Sequence, residues 1–245
     1  MRNHLNLHEK KLSKTVRIKL FTPLELSDSQ IVSMFSAITD GGVAINSALG
    51  GRGYSYPVED FGCGPLFVKS YRRGGLFGKF ISSHYLRFGE TRAMSEFNLL
   101  RKVNSININI PEPIAYAYSS SILTGNCIYK NWLITREVEG AYNLAELCKV
   151  DLKLAISKTH EFMISLNQLI KHKLLHVDLH PGNVLVCPEG RIYILDFDKA
   201  RQFRGSVKQL KDWYLRRWRR AVIKHKLPEA LSEVVCLKLR MVSKI

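Results

Sequence analysis

Polar and apolar positions along the chain change period near residue 140. Before it the apolar residues alternate or run in short stretches, as in "TVRIKLF" (15–21), "PLFVKSY" (65–71), "INIPEPIAYAYSS" (108–120) and "CIYKNWLITREV" (127–138). Each reads as a β-strand. One helix interrupts them: in "TRAMSEFNLLRKV" (91–103), Ala93, Glu96, Leu100 and Val103 recur at helical spacing. After residue 140 the period is helical. From Asp151 to about His172, the positions Leu152, Ile156, Phe162, Met163, Leu166, Leu169 and Ile170 form one apolar face. A last helical pattern runs from Lys208 to Lys226. Between these helices, "NVLV" and "IYIL" flank Pro188-Glu189-Gly190, the pattern of a β-hairpin. The predicted class is α+β, with a β-rich N-terminal lobe (1–138) and a reduced helical C-terminal lobe (139–245).

The hairpin raises a chemical question. Asp178 and Asn183 precede it, and Asp196 and Asp198 follow it. Ordinary turns use such residues as solvated caps, but the spacing also fits phosphoryl transfer. That reaction needs a base or orienter at the acceptor hydroxyl, oxygen ligands for Mg²⁺ and a cation on the phosphates. Asp178 is the candidate base. Asn183, five residues on, and Asp196, thirteen further, are candidate Mg²⁺ ligands, folded together by the hairpin. "HVDLHPGNVL" fits the H-x-D-L-x-x-x-N frame, and "LDFD" stands where D-F-G would. A zinc site of His172, His176 and His180 at fourfold spacing is the competing reading, and Pro181 weighs against the helix it needs.

The same chemistry asks for a strand lysine paired with a helical glutamate. Lys69 in "LFVKSY" is the lysine, and Glu96 the glutamate, with Glu90 as its competitor. Gly51 and Gly53, in "GGRG", are candidates for covering the nucleotide phosphates. Glu137 and Val138 stand where the backbone of a hinge would meet adenine.

Charge narrows the partners. The chain has 245 residues, 37 Lys+Arg against 21 Asp+Glu, a net charge of +16 and a pI near 9.7. An anionic partner follows: nucleic acid, an acidic membrane or a phosphorylated substrate. Half of the excess lies between Arg204 and Lys226, where nine Lys and Arg face one Asp. Trp213, Tyr214, Trp218, Ala221 and Val222 interleave there. This reads either as a membrane-surface helix or as a core helix with a solvated basic face. Hydrophobic content of 46% suffices for a core. The five cysteines form no CxxC pair, which favours reduced thiols and a cytosolic setting. "MRNHLNLHEKKLSK" is no signal peptide, and no apolar run reaches membrane-spanning length.

Taken together, "LFVKSYRRGGLFGK" (66–79), "TRAMSEFNLL" (91–100), "PEPIAYAY" (111–118), "LITREVEGAYNL" (133–144), "HVDLHPGNVLV" (176–186) and "IYILDFDKAR" (192–201) resemble the lipopolysaccharide kinase family of the protein-kinase-like superfamily, and within it the branch acting on 3-deoxy-D-manno-octulosonic acid (Kdo). The resemblance implies a bilobal kinase-like fold, ATP and Mg²⁺. It also implies a Kdo-lipid A precursor as acceptor and a peripheral place on the cytoplasmic face of a bacterial inner membrane. Arg72 and Arg73, with Lys79, then become candidates for gripping the acceptor's anionic groups. His180 departs from the branch, where Asn commonly follows Asp-Leu, and "DLHPGN" is also similar to aminoglycoside-type phosphotransferases. The same frame suits a heptose kinase, and the charge suits a basic pseudokinase binding nucleic acid or membrane. Base, metal ligands and lysine are all present, which argues for an enzyme, so no nucleic-acid partner is expected. Only 49 residues follow Asp196, with no A-P-E, too few for the activation segment and helical lobe of a protein kinase.

Overall fold

The computed structural model describes residues 4–41, 54–71, 85–86, 90–121 and 128–241. The chain forms two compact units. One takes in the described residues up to Arg101 together with Glu112–Glu137; the other holds Lys102–Pro111 and everything from Val138 onward.

The first unit is an antiparallel sheet with a helix on each face. Its strands are β1 (Asn6–Lys11), β2 (Val16–Thr22), β3 (Tyr54–Val58), β4 (Leu66–Ser70), β5 (Tyr85–Leu86), β6 (Pro113–Ser121) and β7 (Ile128–Arg136), in the order β1-β2-β6-β7-β4-β3 with β5 also on β7. Helix α1 (Asp28–Asp40) brings Met34, Phe35 and Ile38 against Ile18, Leu20, Leu66, Val68 and Ile134. Helix α2 (Arg92–Asn104) serves the other face, where Phe97 packs on Tyr116 with ring centroids 5.2 Å apart. With both faces covered, β6 is buried along almost its whole length and shows no alternation.

Three elements of this unit are not marked by a hydrophobic period in the sequence. β1 carries charged residues in a half-buried, half-exposed alternation, as an edge strand does. α1 is announced by a capping box between Ser27 and Gln30, and β3 precedes the predicted lysine strand.

In the second unit, α3 (Leu144–Val150), α4 (Leu152–Lys171), α5 (Val207–Lys224) and α6 (Ala230–Met241) supply the core. Asn143 and Glu146 form the capping box of α3, and Asp151 caps α4. Phe162 of α4 stacks on Trp218 of α5 at 4.9 Å, and Trp218 Nε1 donates to Leu231 O of α6 at 3.1 Å. The buried stripe of α5 is Leu210, Tyr214, Trp218, Ala221 and Val222. Tyr214 and Trp218 are therefore core residues, and the outer surface of α5 is its basic face with the exposed Val207 and Ile223.

Short strands complete this unit: β8 (Tyr142–Asn143), β9 (Leu174–Leu175), β10 (Val184–Val186), β11 (Ile192–Ile194) and β12 (Arg201–Gln202). β10 and β11 are the predicted hairpin, with Val184 opposite Ile194. Its turn has Gly190 at φ +82°, and Gly190 N–H donates to Cys187 O at 2.8 Å. The Ile194 N–H reaches back to Asn109 O at 3.0 Å, which ties Lys102–Pro111 to this unit.

Candidate active site

Strand alternation decides where Lys69 points. Leu66 and Val68 face α1, so Phe67 and Lys69 face the side of α2. On α2 the buried stripe Ala93, Phe97 and Leu100 includes Glu96. The Lys69 Nζ donates to both Glu96 carboxylate oxygens, at 3.0 and 2.9 Å. Glu96 is 2% exposed, whereas Lys69 is 21% exposed. A buried carboxylate needs a cation, and Lys69 is the cation that meets it. Glu90 is exposed and bonds Ser95 instead.

Two further residues hold this pair. The Tyr71 hydroxyl donates a short hydrogen bond to Glu96 Oε2, and the Lys69 ammonium lies 5.0 Å from the Tyr71 ring centroid. Asn131, fully buried on β7, accepts from the Ala93 N–H at 2.9 Å. The early N–H groups of a helix lack internal partners, so Asn131 fixes the start of α2 and with it the position of Glu96. Asn131 lies outside the motifs read from the sequence, whereas Tyr71 lies within "LFVKSYRRGGLFGK" with no role assigned to it there. The signal for Asn131 was an amide inside an apolar strand, which needs an internal partner.

The second unit holds the remaining candidates. Asn183 is fixed at three points: Nδ2 donates to Asp178 O at 2.9 Å, its N–H donates to His180 O at 2.8 Å, and its carbonyl accepts from Leu195 N–H at 2.9 Å. A carbonyl only accepts, so Nδ2 is the atom on Asp178 and Oδ1 is the acceptor end of the amide. Asp196 follows Leu195 directly, with φ +61°, so the hairpin does bring the loops of Asn183 and Asp196 together. Asn183 Oδ1 and the Asp196 carboxylate are two hard oxygen donors. Such a set fits Mg²⁺, which keeps several waters and takes its other ligands from substrate phosphates. Among the described residues no cluster of three or more His, Cys, Asp or Glu could hold a metal, and the three-histidine zinc site is not formed.

His176 explains how the loop is carried. Its ring is fully buried, edge-on to Phe197 at 4.6 Å, and Nε2 donates to Leu195 O at 2.8 Å. Burial pushes its pKa down, against the pull of the Leu195 carbonyl and the carboxylates of Asp196 and Asp178. The Tyr214 hydroxyl donates to Leu174 O at 2.6 Å and accepts from the His176 N–H at 2.9 Å.

Asp178 is not isolated. Lys199 Nζ lies 3.0 Å from Oδ2, and Arg217 Nη2 lies 3.6 Å from Oδ1. Arg217 Nε also donates to Val177 O at 3.2 Å. These two cations were absent from the predicted site: Lys199 sits one residue past "DFD", and Arg217 lies inside the basic run. His180 caps the 3-10 turn Pro181–Asn183, its Nδ1 accepting from Gly182 N–H at 3.1 Å. Burial, then Arg217, lowers its pKa to about 4, so the imidazole is neutral.

Of the other candidates, Glu137 and Val138 stand at the boundary of the two units. The Glu137 N–H donates to Pro65 O at 3.0 Å. Gly51, Gly53, Arg72, Arg73 and Lys79 lie outside the described residues.

The model of the lipopolysaccharide kinase (Kdo/WaaP) family matches residues 47–234. The chain belongs to this family. It is 29% identical over 141 residues to a 3-deoxy-D-manno-octulosonic acid kinase of Vibrio vulnificus, covering 57% of the chain and 58% of that protein. Similar enzymes of Vibrio parahaemolyticus and Photobacterium profundum are 28% identical over 187 residues and 29% over 188. Those two matches cover 75% of this chain, and 76% and 75% of the respective relatives. No helix among the described residues is long and apolar enough to cross a membrane.

Proposed function

We propose that the protein is an ATP-dependent kinase that phosphorylates a hydroxyl of Kdo on a lipid A precursor. The Lys69–Glu96 pair carries this reading. It fixes the Lys69 ammonium on β4 beside a buried carboxylate, the strand-lysine and helix-glutamate arrangement that places a cation on nucleotide phosphates. Asp178 takes the proton of the acceptor hydroxyl as that oxygen takes the γ-phosphoryl group and ADP leaves. Asn183 Oδ1 and Asp196 hold Mg²⁺, which when bound neutralises charge on the phosphates. The Glu137 carbonyl and Val138 backbone face adenine, Gly51 and Gly53 cover the phosphates, and Arg72 and Arg73 grip the acceptor.

Charge favours this acceptor over an aminoglycoside. A polycation wants acidic walls, whereas Asp178 here is flanked by Lys199 and Arg217. The acceptor's place also accounts for the outer face of α5, where Arg216, Arg219 and the 73%-exposed Ile223 would rest on the anionic cytoplasmic face of a bacterial inner membrane.

The test is incubation with Mg·ATP and Kdo-lipid A precursor, read by mass spectrometry. The expected product has gained one phosphoryl group on Kdo. Ready phosphorylation of kanamycin with none of the glycolipid would overturn the proposal.

A further inference from the structure

The edge of α5 beside the catalytic loop carries a row of cations that the phosphate chemistry does not use. Arg217, Arg220 and Lys224 follow at spacings of 3 and 4, which stacks them along one side of a helix. The first of them touches Asp178 and Val177. The last adjoins His225, whose ring is 6.4 Å from that of His180 in the catalytic loop. Both ends of the row therefore border the segment that holds Asp178. Lys199, 59% exposed, closes the near end at 3.0 Å from Asp178.

Arg220 and Lys224 are exposed. Among the described residues neither pairs with a carboxylate. Lys224 gains something from the C-terminal dipole of α5. Arg220 has no such reason to be there, and stacked like charges one turn apart weaken a helix. Among the described residues, Asp178 is the carboxylate that meets the row, and it is already held by Lys199 and Arg217.

We infer that Lys199, Arg217, Arg220 and Lys224 form the subsite for an acidic group of the acceptor, so that its carboxylate or phosphate lies along α5 while its hydroxyl meets Asp178. This rests on the kinase reading above and deepens it by naming what the acceptor must carry. Arg217 and Lys199 also set the direction of Asp178, whereas Arg220 and Lys224 act on the acceptor alone.

The experiment uses the full chain with Mg·ATP and Kdo-lipid A precursor in nonionic detergent, so that no anionic surface contributes. Arg220→Ala/Lys224→Ala should raise the KM for the glycolipid about tenfold or more, as expected for the loss of charge-assisted contacts. The KM for ATP and the melting temperature should stay as in the wild type. Lys208→Ala/Lys211→Ala, which removes equal charge from the other flank of α5, should leave the acceptor KM unchanged. Two altered acceptors then name the group: one methyl-esterified at the Kdo carboxylate, one stripped of the lipid A phosphates. The one that binds wild type weakly and no longer responds to the double substitution lacks the recognised anion. Wild-type turnover with an equal acceptor KM in Arg220→Ala/Lys224→Ala overturns the subsite alone, as does full binding of both altered acceptors. No wild-type turnover of the glycolipid overturns the function and the subsite together.

Discussion

Asn131 Oδ1 accepts a hydrogen bond from the Ala93 N–H at 2.9 Å, joining a buried position of a central strand to the first turn of α2. One turn further along, Glu96 meets Lys69. The amide of Asn131 is thus a hidden part of the lysine's address. Asn131→Ala should leave that N–H without its buried partner, costing about 1–3 kcal/mol, and should raise the KM for ATP because α2 can then shift. Thermal unfolding and ATP kinetics on the same preparation check this. A destabilised variant with wild-type ATP affinity would show that Asn131 serves stability only.

Asp178→Asn should lower turnover by about 10²–10⁴-fold, the usual contribution of a general base, with ATP affinity little changed. Arg217→Met should lower kcat through the orientation of the loop, since it removes the donor to Val177 O and one cation from Asp178. Parallel measurement of kcat and nucleotide affinity separates the two. A near-wild-type rate for Asp178→Asn would remove it from the chemistry.

Asp196→Asn should abolish Mg²⁺-dependent nucleotide binding. The choice of residue matters because Asp196 has φ +61°. Asn tolerates that left-handed conformation, while Ala would add a backbone penalty of about 1–2 kcal/mol. Titration of nucleotide fluorescence with Mg²⁺ provides the readout, and retained Mg²⁺ dependence would refute the assignment.

Stability should fall as pH drops from 6.5 towards about 4, because His180 is neutral in the fold and protonates in the unfolded chain over that window. The unfolded state binds more protons there, so unfolding free energy rises with pH. His176, lowered by burial, adds in the same direction. Melting temperatures across this range should show a shallower slope for His180→Gln. An unchanged slope would mean that other groups set the acid limit.

Arg216→Glu/Arg219→Glu should release the protein from anionic vesicles, and added salt should do the same to the wild type. Sedimentation with vesicles rich in anionic lipid measures both. Equal pelleting before and after the change would leave the outer face of α5 merely solvated.

The elements with a clear period are legible in the sequence: the strands at 16–22, 66–70, 113–121 and 128–136, the helix 152–171 and the hairpin around Gly190. α1 and α3 are not, although Ser27–Gln30 and Asn143–Glu146 announce both by capping boxes; a Gly-rich neighbourhood and short length hide them. α6 is hidden by its position after a strongly charged run. In the site, the spacing of Asp178, Asn183 and Asp196 points to one loop system because a hairpin of fixed length joins them. Lys199 and Arg217 cannot be read the same way. Their relation to Asp178 spans 21 and 39 residues and depends on how α5 packs, which no local pattern encodes. The aromatic residues of α5 are ambiguous between lipid and core, and burial of Tyr214 and Trp218 resolves them as core.

The catalytic loop borrows its fixings from a helix that comes later in the chain. The carbonyls of Leu174 and Val177 find their donors on Tyr214 and Arg217, each forty residues onward. During synthesis Leu174 and Val177 are added to the chain before those donors exist. A nascent chain therefore passes through a stage in which Lys69, Glu96, Asp178, Asn183 and Asp196 have all been made, yet the loop that carries Asp178 still lacks Tyr214 and Arg217. The loop's final setting therefore waits on α5, and a chain cut short before α5 would carry those residues on a loop that lacks two of its fixings.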